Sequence, residues 1–394
     1  MDKRNKKVIC HIFFDEYPKD SRIRRYANCL IYEGYEVIVI SLNNGSTNKY
    51  EEINGVKVYR INIKKKRGSF SRRLYEYALF EIVAFIYAIR IYIAYKPEIF
   101  HIHTLPDFLV FAALIPKLYG SKVILDFHEL FPEAFLQFNK KLTVKSFWYK
   151  MILFLEKVSF NFANEIIVFH DPAKEILKKR YGNKNEITTI MNGVDEDEIK
   201  DFNRKKSGNF IIVYNGTINY NLNLSLVLKA LLRIKNSNSE KYKMIEFHLY
   251  GDGPDLENIL NTAKELLVEN VFYKGRIEFS EMMKKLETAS LCVLPPLKDV
   301  YSDLFYSIKL IEMIYLRIPV AATRLNTYMK YYPENCLLYF DSDNDEELAE
   351  RILFAYNCPE KLREYTENAF AEYQKYSWEI MRGRYVKLVK KILI

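Results

Sequence analysis

The chain has 394 residues, 49% of them hydrophobic and 28% charged, which excludes a disordered or collagen-like polymer and, at about 100–200 residues per domain, points to two domains. The formal charge of +9 is uneven: residues 1–195 hold 31 Lys+Arg against 21 Asp+Glu and the remainder 28 against 29, so an acidic surface or an anionic ligand is expected at the first half. The five cysteines (Cys10, Cys29, Cys292, Cys336, Cys358) are odd in number and lack C-x-x-C spacing, which argues against a disulfide framework or a structural zinc and for a reducing compartment.

Lys3-Arg4-Asn5-Lys6-Lys7 leads into an apolar strand over 7–13 that stops at Asp15, too short for a signal peptide. A helix over 20–33, ended by Gly34, and a strand over 35–41 follow. The apolar run 77–95 contains Glu81 and Arg90 and is not read as a membrane span. The pattern continues with strand 98–101, helix 107–118, strand 122–127, a long helix near 144–161, strand 165–169, helix 172–181 and strand 187–190. Polar residues 195–209 read as a linker. A second alternating series then runs through strands 210–214, 245–250, 271–273, 291–294 and 319–322, with helices between them and a last helix from 377 onward. Buried apolar strands alternating with helices predict two parallel α/β sheets.

Ligands of such sheets sit at the carboxyl ends of the strands. Three of those ends in the second half carry glycine, although the chain has only 13: Asn215-Gly216-Thr217, Gly251-Asp252-Gly253-Pro254 and Lys274-Gly275-Arg276. Each is an ordinary turn or a place where backbone N–H groups meet a phosphate. Lys309 and Glu312 share a helix face, as an ion pair or as a phosphate cation beside a ribose-binding carboxylate. Asp20 fits a helix cap. Arg22 reaches an anionic ligand or is solvated, and alternation places His101 and His103 on one strand face.

In order, Asp20-x-Arg22, His128-Glu129, Asn192-Gly193-Val194-Asp195, Asn215-Gly216-Thr217, Gly251-Asp252-Gly253-Pro254, Gly275-Arg276, Lys309-x-x-Glu312 and Pro319-Val320 resemble the family-four retaining glycosyltransferases of the GT-B fold, with bacterial surface-polysaccharide enzymes the nearest subgroup. The resemblance covers nearly the whole chain. It implies two Rossmann-like domains facing a central cleft: an acceptor domain (1–200), a nucleotide-sugar domain (201–370) and a C-terminal helix (371–394) crossing back to the first. It implies that Gly216, Thr217, Gly251, Ser307 and Lys309 hold a diphosphate, that Gly275 and Arg276 meet the base, and that Glu312 holds the ribose. His128 is implied to face the transferred sugar as the catalytic residue, with Asp20, Arg22 and His103 on the acceptor side. No metal or cofactor is expected beyond the nucleotide-sugar substrate, since cations and helix dipoles can carry the diphosphate charge.

Three departures bear on this reading. The first of the family's two glutamates falls on Leu304, beside Asp303. Two basic positions of the first glycine loop are Thr217 and Leu222. The glycine before the Pro-Val pair is Arg317, which costs about 1 kcal/mol at a helix cap. These motivate two alternatives, a degenerate transferase acting as a non-catalytic partner subunit, and a nucleotide-sugar epimerase or phosphorylase on the same architecture.

Two decoys are set aside. Asp341-Ser342-Asp343-Asn344-Asp345 lacks the glycine and glutamate of a calcium loop and reads as the acidic start of a helix. Gly251-x-Gly253 lacks the third glycine of a dinucleotide fingerprint. The basic stretch 64–73 before the aromatic-rich 74–95, and Lys140-Lys141 with Lys145-Ser146-Phe147-Trp148-Tyr149-Lys150, suit an anionic membrane surface and a lipid-linked glycan acceptor. No nucleic-acid motif accompanies them. The expected location is cytoplasmic, peripheral at the inner face of the plasma membrane.

Overall fold

The computed structural model describes residues 6–43, 45, 48–63, 65, 70–138, 143–182, 186–194, 196–199, 202–205 and 207–394, without the side chains of 70, 71, 138, 197 and 198. The basic residues 3, 4, 64, 66, 67, 140 and 141, and Asp195, lie outside the described residues. Two compact units form: Met1–Asn192 with Trp378–Ile394, and Gly193–Ser377.

In chain order the first unit contains β1 (Val8–Glu16), α1 (Ser21–Tyr32), β2 (Glu36–Leu42), β3 (Tyr50–Ile53), β4 (Val56–Ile61), α2 (Phe70–Tyr95), β5 (Ile99–His103), α3 (Leu114–Leu118), β6 (Lys122–Phe127), α4 (Phe131–Phe138), α5 (Phe147–Phe162), β7 (Glu165–Val168), α6 (Asp171–Tyr181) and β8 (Ile187–Thr189). The second contains α7 (Glu196–Ile199), β9 (Phe210–Asn215), α8 (Ser225–Ser237), α9 (Ser239–Lys243), β10 (Ile245–Tyr250), α10 (Leu256–Glu265), β11 (Val271–Gly275), α11 (Phe279–Leu286), β12 (Leu291–Leu294), α12 (Ile308–Tyr315), β13 (Val320–Thr323), α13 (Asn326–Tyr331), β14 (Leu338–Phe340), α14 (Asp345–Asn357) and α15 (Pro359–Gln374). The last helix, α16 (Trp378–Ile392), returns to the first unit and packs on α1.

The first sheet has the order β3-β4-β2-β1-β5-β6-β7-β8 and the second β11-β10-β9-β12-β13-β14. Both are doubly wound, reversing direction at β1/β5 and at β9/β12. Their strands are near-continuous apolar runs because helices cover both faces. Every pairing is parallel except β3 with β4, an edge hairpin closed by Asn54-Gly55 with both residues at positive φ. That hairpin is missing from the sequence-derived order, although Asn-Gly between two β-rich runs is its usual signal.

Three boundaries differ from expectation. β5 extends to His103, so both of its histidines lie within the strand. Residues 107–118 are a 3-10 helix over Asp107–Ala113 followed by the short α3. The glycine loop at 216 leads into a 3-10 turn over Tyr220–Leu222, and α8 begins only at Ser225.

On one side of the first sheet, α2 packs against β1 and β4, the 3-10 helix against β5 and β6, and α5 against β6. Arg72–Tyr95 is long and apolar enough to cross a membrane, and 28% of its most apolar window is buried. Here it lies on the sheet, burying Phe80, Ala84, Ala88 and Ile91.

Candidate functional site

The carboxyl ends of both sheets were the places to inspect, and the two units fill them differently. In the first unit the reversal point brings together four of the chain's six histidines. His11 on β1 is the register partner of His101 on β5, and His103 that of Asp126 on β6. The strand pleat turns all four side chains to one face. There His103 Nε2 lies 2.9 Å from His11 Nδ1, and His103 Nδ1 lies 3.2 Å from Asp126 Oδ2 and 3.1 Å from His128 Nε2. Tyr385 of α16 closes the cluster, its hydroxyl 3.0 Å from His101 Nδ1.

Arg22 supplies the cation. Asp20 caps α1, accepting from the amides of Arg22 and Ile23, and so starts the helix where residue 22 points inward. Arg22 Nη2 is 2.8 Å from Asp126 Oδ1, with both side chains almost wholly buried. Burial alone would raise the Asp126 carboxyl, but Arg22 and the surrounding histidines hold it well below the usual carboxylate range. Burial drives His11 and His103 well below the ordinary imidazole value, and lowers His101 as well.

These states settle the proton pattern. A carboxylate can only accept, so His103 carries its proton on Nδ1, shared between Asp126 and His128. His103 Nε2 then accepts from His11 Nδ1, and His11 Nε2 is left bare, in keeping with its being buried without a partner. His128 Nε2 then accepts from His103. His128 is the member at the rim, with its side chain 22% exposed and its amide donating to Thr104 Oγ1 at 3.0 Å.

Three expectations are therefore corrected. Arg22 neither reaches a ligand nor is solvated; it is the counter-ion of Asp126. His103, 1% exposed, supports His128 from behind and does not meet an acceptor. Asp20 spends its carboxylate on the α1 amides. His11, Asp126 and Tyr385 were missed. A histidine inside an otherwise apolar β1 was the available signal for the first of them.

Two triads, His11/His101/His103 and His103/Asp126/His128, have candidate ligand atoms within 4.8 Å of one another. The nitrogens of His103 are already engaged with His11, Asp126 and His128, and Asp126 with Arg22. At the second triad a cation would have to displace a buried ion pair, and at the first it would have to break the His11–His103 hydrogen bond.

In the second unit the three glycine loops end adjacent strands β9, β10 and β11 and are stitched together by backbone. Gly216 N–H donates to Tyr250 O at 3.0 Å, Gly251 N–H to Gly275 O at 2.8 Å, and Ile218 N–H to Asp252 O at 3.0 Å. Gly216 and Gly251 have φ of +133° and +126°. A Cβ on Gly251 would stand 1.8 Å from Gly216 O, and one on Gly216 would stand 2.0 Å from Lys309 Cε. Loop lies on loop, and the Lys309 side chain lies over Gly216.

Lys309 is half-buried, its ammonium 5.8 Å from the Tyr214 ring centroid, and burial lowers its pKa against the opposing pull of Glu312. Glu312 follows one turn later on α12. Ser307 is the N-cap of that helix but makes no side-chain cap bond, leaving the first amides of α12 without one. Thr217 is exposed, and its carbonyl accepts from the Tyr214 hydroxyl at 2.6 Å. Arg276 is exposed and, among the described residues, in no ion pair.

Asp303 does not replace the missing glutamate; it accepts from Asn326 N and Nδ2 at 2.8 and 2.6 Å and so holds the start of α13. Arg317 occupies the left-handed region (φ +57°) just past α12, the conformation a glycine would relax. In the acidic stretch, Asn344 caps α14 and Asp341 pairs with Arg324.

Residues 21–198 match the family model described as Glycosyltransferase Family 4, and residues 195–372 match the one described as Glycosyl transferases group 1. No curated protein matches. Among solved structures, sucrose-phosphate synthase from Thermosynechococcus elongatus is 15% identical with a TM-score of 0.77, the alignment covering 98% of this chain and 99% of that one. An E. coli trehalose-6-phosphate structure bound with UDP-2-fluoro glucose is 9% identical, with a TM-score of 0.74 and the same coverage. Anabaena HepE, in complex with UDP and glucose, is 13% identical with a TM-score of 0.68, covering 97% and 99%. At these identities the structural likeness establishes the fold, and the two family models establish the class. The chain belongs to the GT-B glycosyltransferases, with a family 4 unit followed by a group 1 unit.

Proposed function

We propose that the protein transfers a sugar, with retention of configuration, from a nucleotide-sugar bound by the second unit to a hydroxyl of a lipid-linked bacterial surface glycan bound by the first. The observation that carries the donor assignment is the stack of glycine loops at the ends of three adjacent strands, with Lys309 over Gly216 and the N-terminus of α12 beside it. Such a site offers the first amides and the dipole of α12 and one desolvated cation to a leaving diphosphate. Glu312, one turn along, accepts from ribose hydroxyls. Relatives of the same fold were solved with UDP and glucose and with UDP-2-fluoro glucose, which supports a donor of that class. His128, the rim member, offers its imidazole to the sugar substrate and is held from behind by His103. Retention is proposed from the family resemblance.

The lipid-linked acceptor is proposed from the outer layer of the first unit. Ile82, Ile86 and Ile93 on α2, Leu118 on α3, and Phe147, Trp148 and Phe154 on α5 are exposed. Among the described residues of these three helices, the exposed charges are Arg72, Arg73, Arg90, Lys150 and Lys157, whereas Glu76, Glu81 and Glu156 turn inward. An apolar face bearing only positive charge suits an anionic bilayer. All five cysteines are free, in keeping with a cytoplasmic location at the inner face of the plasma membrane.

Thermal unfolding against a panel of nucleotides and sugar nucleotides tests the donor site. A donor at about 100 times its Kd stabilises by near 2.7 kcal/mol, and Glu312→Ala should remove most of that. A flat response from folded wild type refutes the donor assignment. Sedimentation with phosphatidylglycerol vesicles tests the membrane face: wild type should co-sediment and Ile82→Glu/Ile86→Glu should not, and equal recovery on phosphatidylcholine refutes the charge argument.

A further inference from the structure

The second unit has another cavity, at the opposite end of its sheet from the glycine loops. Its volume is about 510 Å³, within the range of roughly 300–1,000 Å³ common for small-molecule sites. It opens where the strands begin: Phe210 starts β9, Ser290 precedes β12 and Pro319 precedes β13. The end of α14 and the first turns of α15 form its walls. With strands rising about 3.3 Å per residue, six-residue β9 separates it from Gly216 by roughly 20 Å.

Its charge is one-sided. Arg204, Lys205, Arg317 and Arg363 line it, against the single carboxylate of Glu367. Lys205 is paired with Glu287 at 2.5 Å. Among the described residues Arg204 donates to carbonyls, Arg317 O at 2.7 Å and Ala289 O at 2.8 Å, and burial lowers its pKa. Arg317 lies over the Phe370 ring and donates to Tyr315 O, while its Nε is buried without a hydrogen-bond partner, Glu367 Oε2 standing 3.5 Å away. Arg363 is exposed and, among the described residues, forms no ion pair.

Backbone capping at the end of α12 accounts for part of Arg204 and Arg317. It accounts for neither Arg363 nor the cavity. Arginine forks match phosphate oxygens in pairs. The opposite wall is apolar, with the Phe210 and Tyr356 rings 5.6 Å apart beside Leu362. We propose that this cavity binds a small phosphorylated molecule with a compact apolar part, at a site separate from the donor loops. The proposal does not depend on what those loops bind.

Isothermal titration of the full chain with phenyl phosphate tests it, inorganic phosphate serving as the probe for the anion alone. The expected result is saturable binding of phenyl phosphate, tighter than phosphate, weakened at least about tenfold by Arg363→Gln or Arg204→Gln and unchanged in Lys309→Ala. Arg363 is exposed and makes no ion pair among the described residues, so Arg363→Gln should leave the fold intact and its result is decisive. Binding lost in Lys309→Ala but kept in Arg363→Gln would put the phosphate in the glycine loops and overturn the proposal. So would the absence of saturable binding up to about 10 mM. Failure of the donor reading would show separately, as a missing response to nucleotides.

Discussion

The carboxyl end of the first sheet is built of side chains, and that of the second is built of backbone. At β1/β5, imidazoles, a carboxylate and a guanidinium pair with one another out of water, although His11 Nε2, His101 Nε2 and Arg22 Nε stay without partners, and His128 reaches the rim. At β9–β11, glycines bring peptide planes together, loop amides bond to carbonyls of the neighbouring loops, and Lys309 lies over Gly216. A buried polar network must be completed internally, because an unpaired group inside the protein is costly. Such a network positions one residue and offers a ligand little else. The backbone cradle leaves Lys309 and the first amides of α12 beside it, which suits an anion that comes and goes.

The largest predicted effect tests the closed network. Asp126→Asn leaves the Arg22 guanidinium buried without its counter-ion and should cost about 3–5 kcal/mol, read from urea unfolding midpoints. A cost below about 1 kcal/mol would mean that Arg22 finds other partners and that the network is looser than its distances imply. The next effect tests the cradle. Gly251→Ala drives a Cβ onto Gly216 O and should cost about 2–3 kcal/mol, whereas Gly275→Ala meets open space and pays only for its positive φ, about 1 kcal/mol. Equal costs would show that conformation, not the stacking of loops, demands these glycines.

A pH-dependent effect lies in the outer layer of the first unit. Glu81 on α2 has a buried Oε2 without a partner, and burial raises its pKa from 4.5 to about 9. The folded chain then keeps a proton that the unfolded chain releases, so this residue removes stability as pH rises from about 4.5 toward 9. Glu81→Gln does not titrate. It should match wild type near pH 4.5 and be the more stable at pH 8, as urea midpoints at the two pH values would show. An identical difference at both would place the Glu81 carboxyl in water.

Much of this was legible in residue order. Apolar strands alternating with amphipathic helices have periods of two and 3.6 that need no tertiary information, and Gly216, Gly251 and Gly275 stood out because glycine is scarce. The Asn54-Gly55 hairpin was equally local and was passed over. The partners of Arg22 and His103 were out of view because they lie far along the chain: Asp126 is 104 residues from Arg22, and His11 is 92 from His103. Spacing along one element cannot show whether a cation faces water or a carboxylate from another strand. Tyr385, 284 residues from His101, illustrates the same limit.

The sequence by itself determined two parallel α/β sheets, the glycine loops at three strand ends, and the pairing of Lys309 with Glu312 on one helix face, because short-range periodicity and glycine's backbone freedom are properties of neighbouring residues. Only the tertiary structure decided which polar groups were consumed by one another, that α16 closes the first unit against α1, that the exposed charges of α2 and α5 are all basic, and that four cations gather at the far end of the second sheet. Those outcomes depend on burial and on contacts between residues distant in sequence, and desolvation decides them only once the chain has folded.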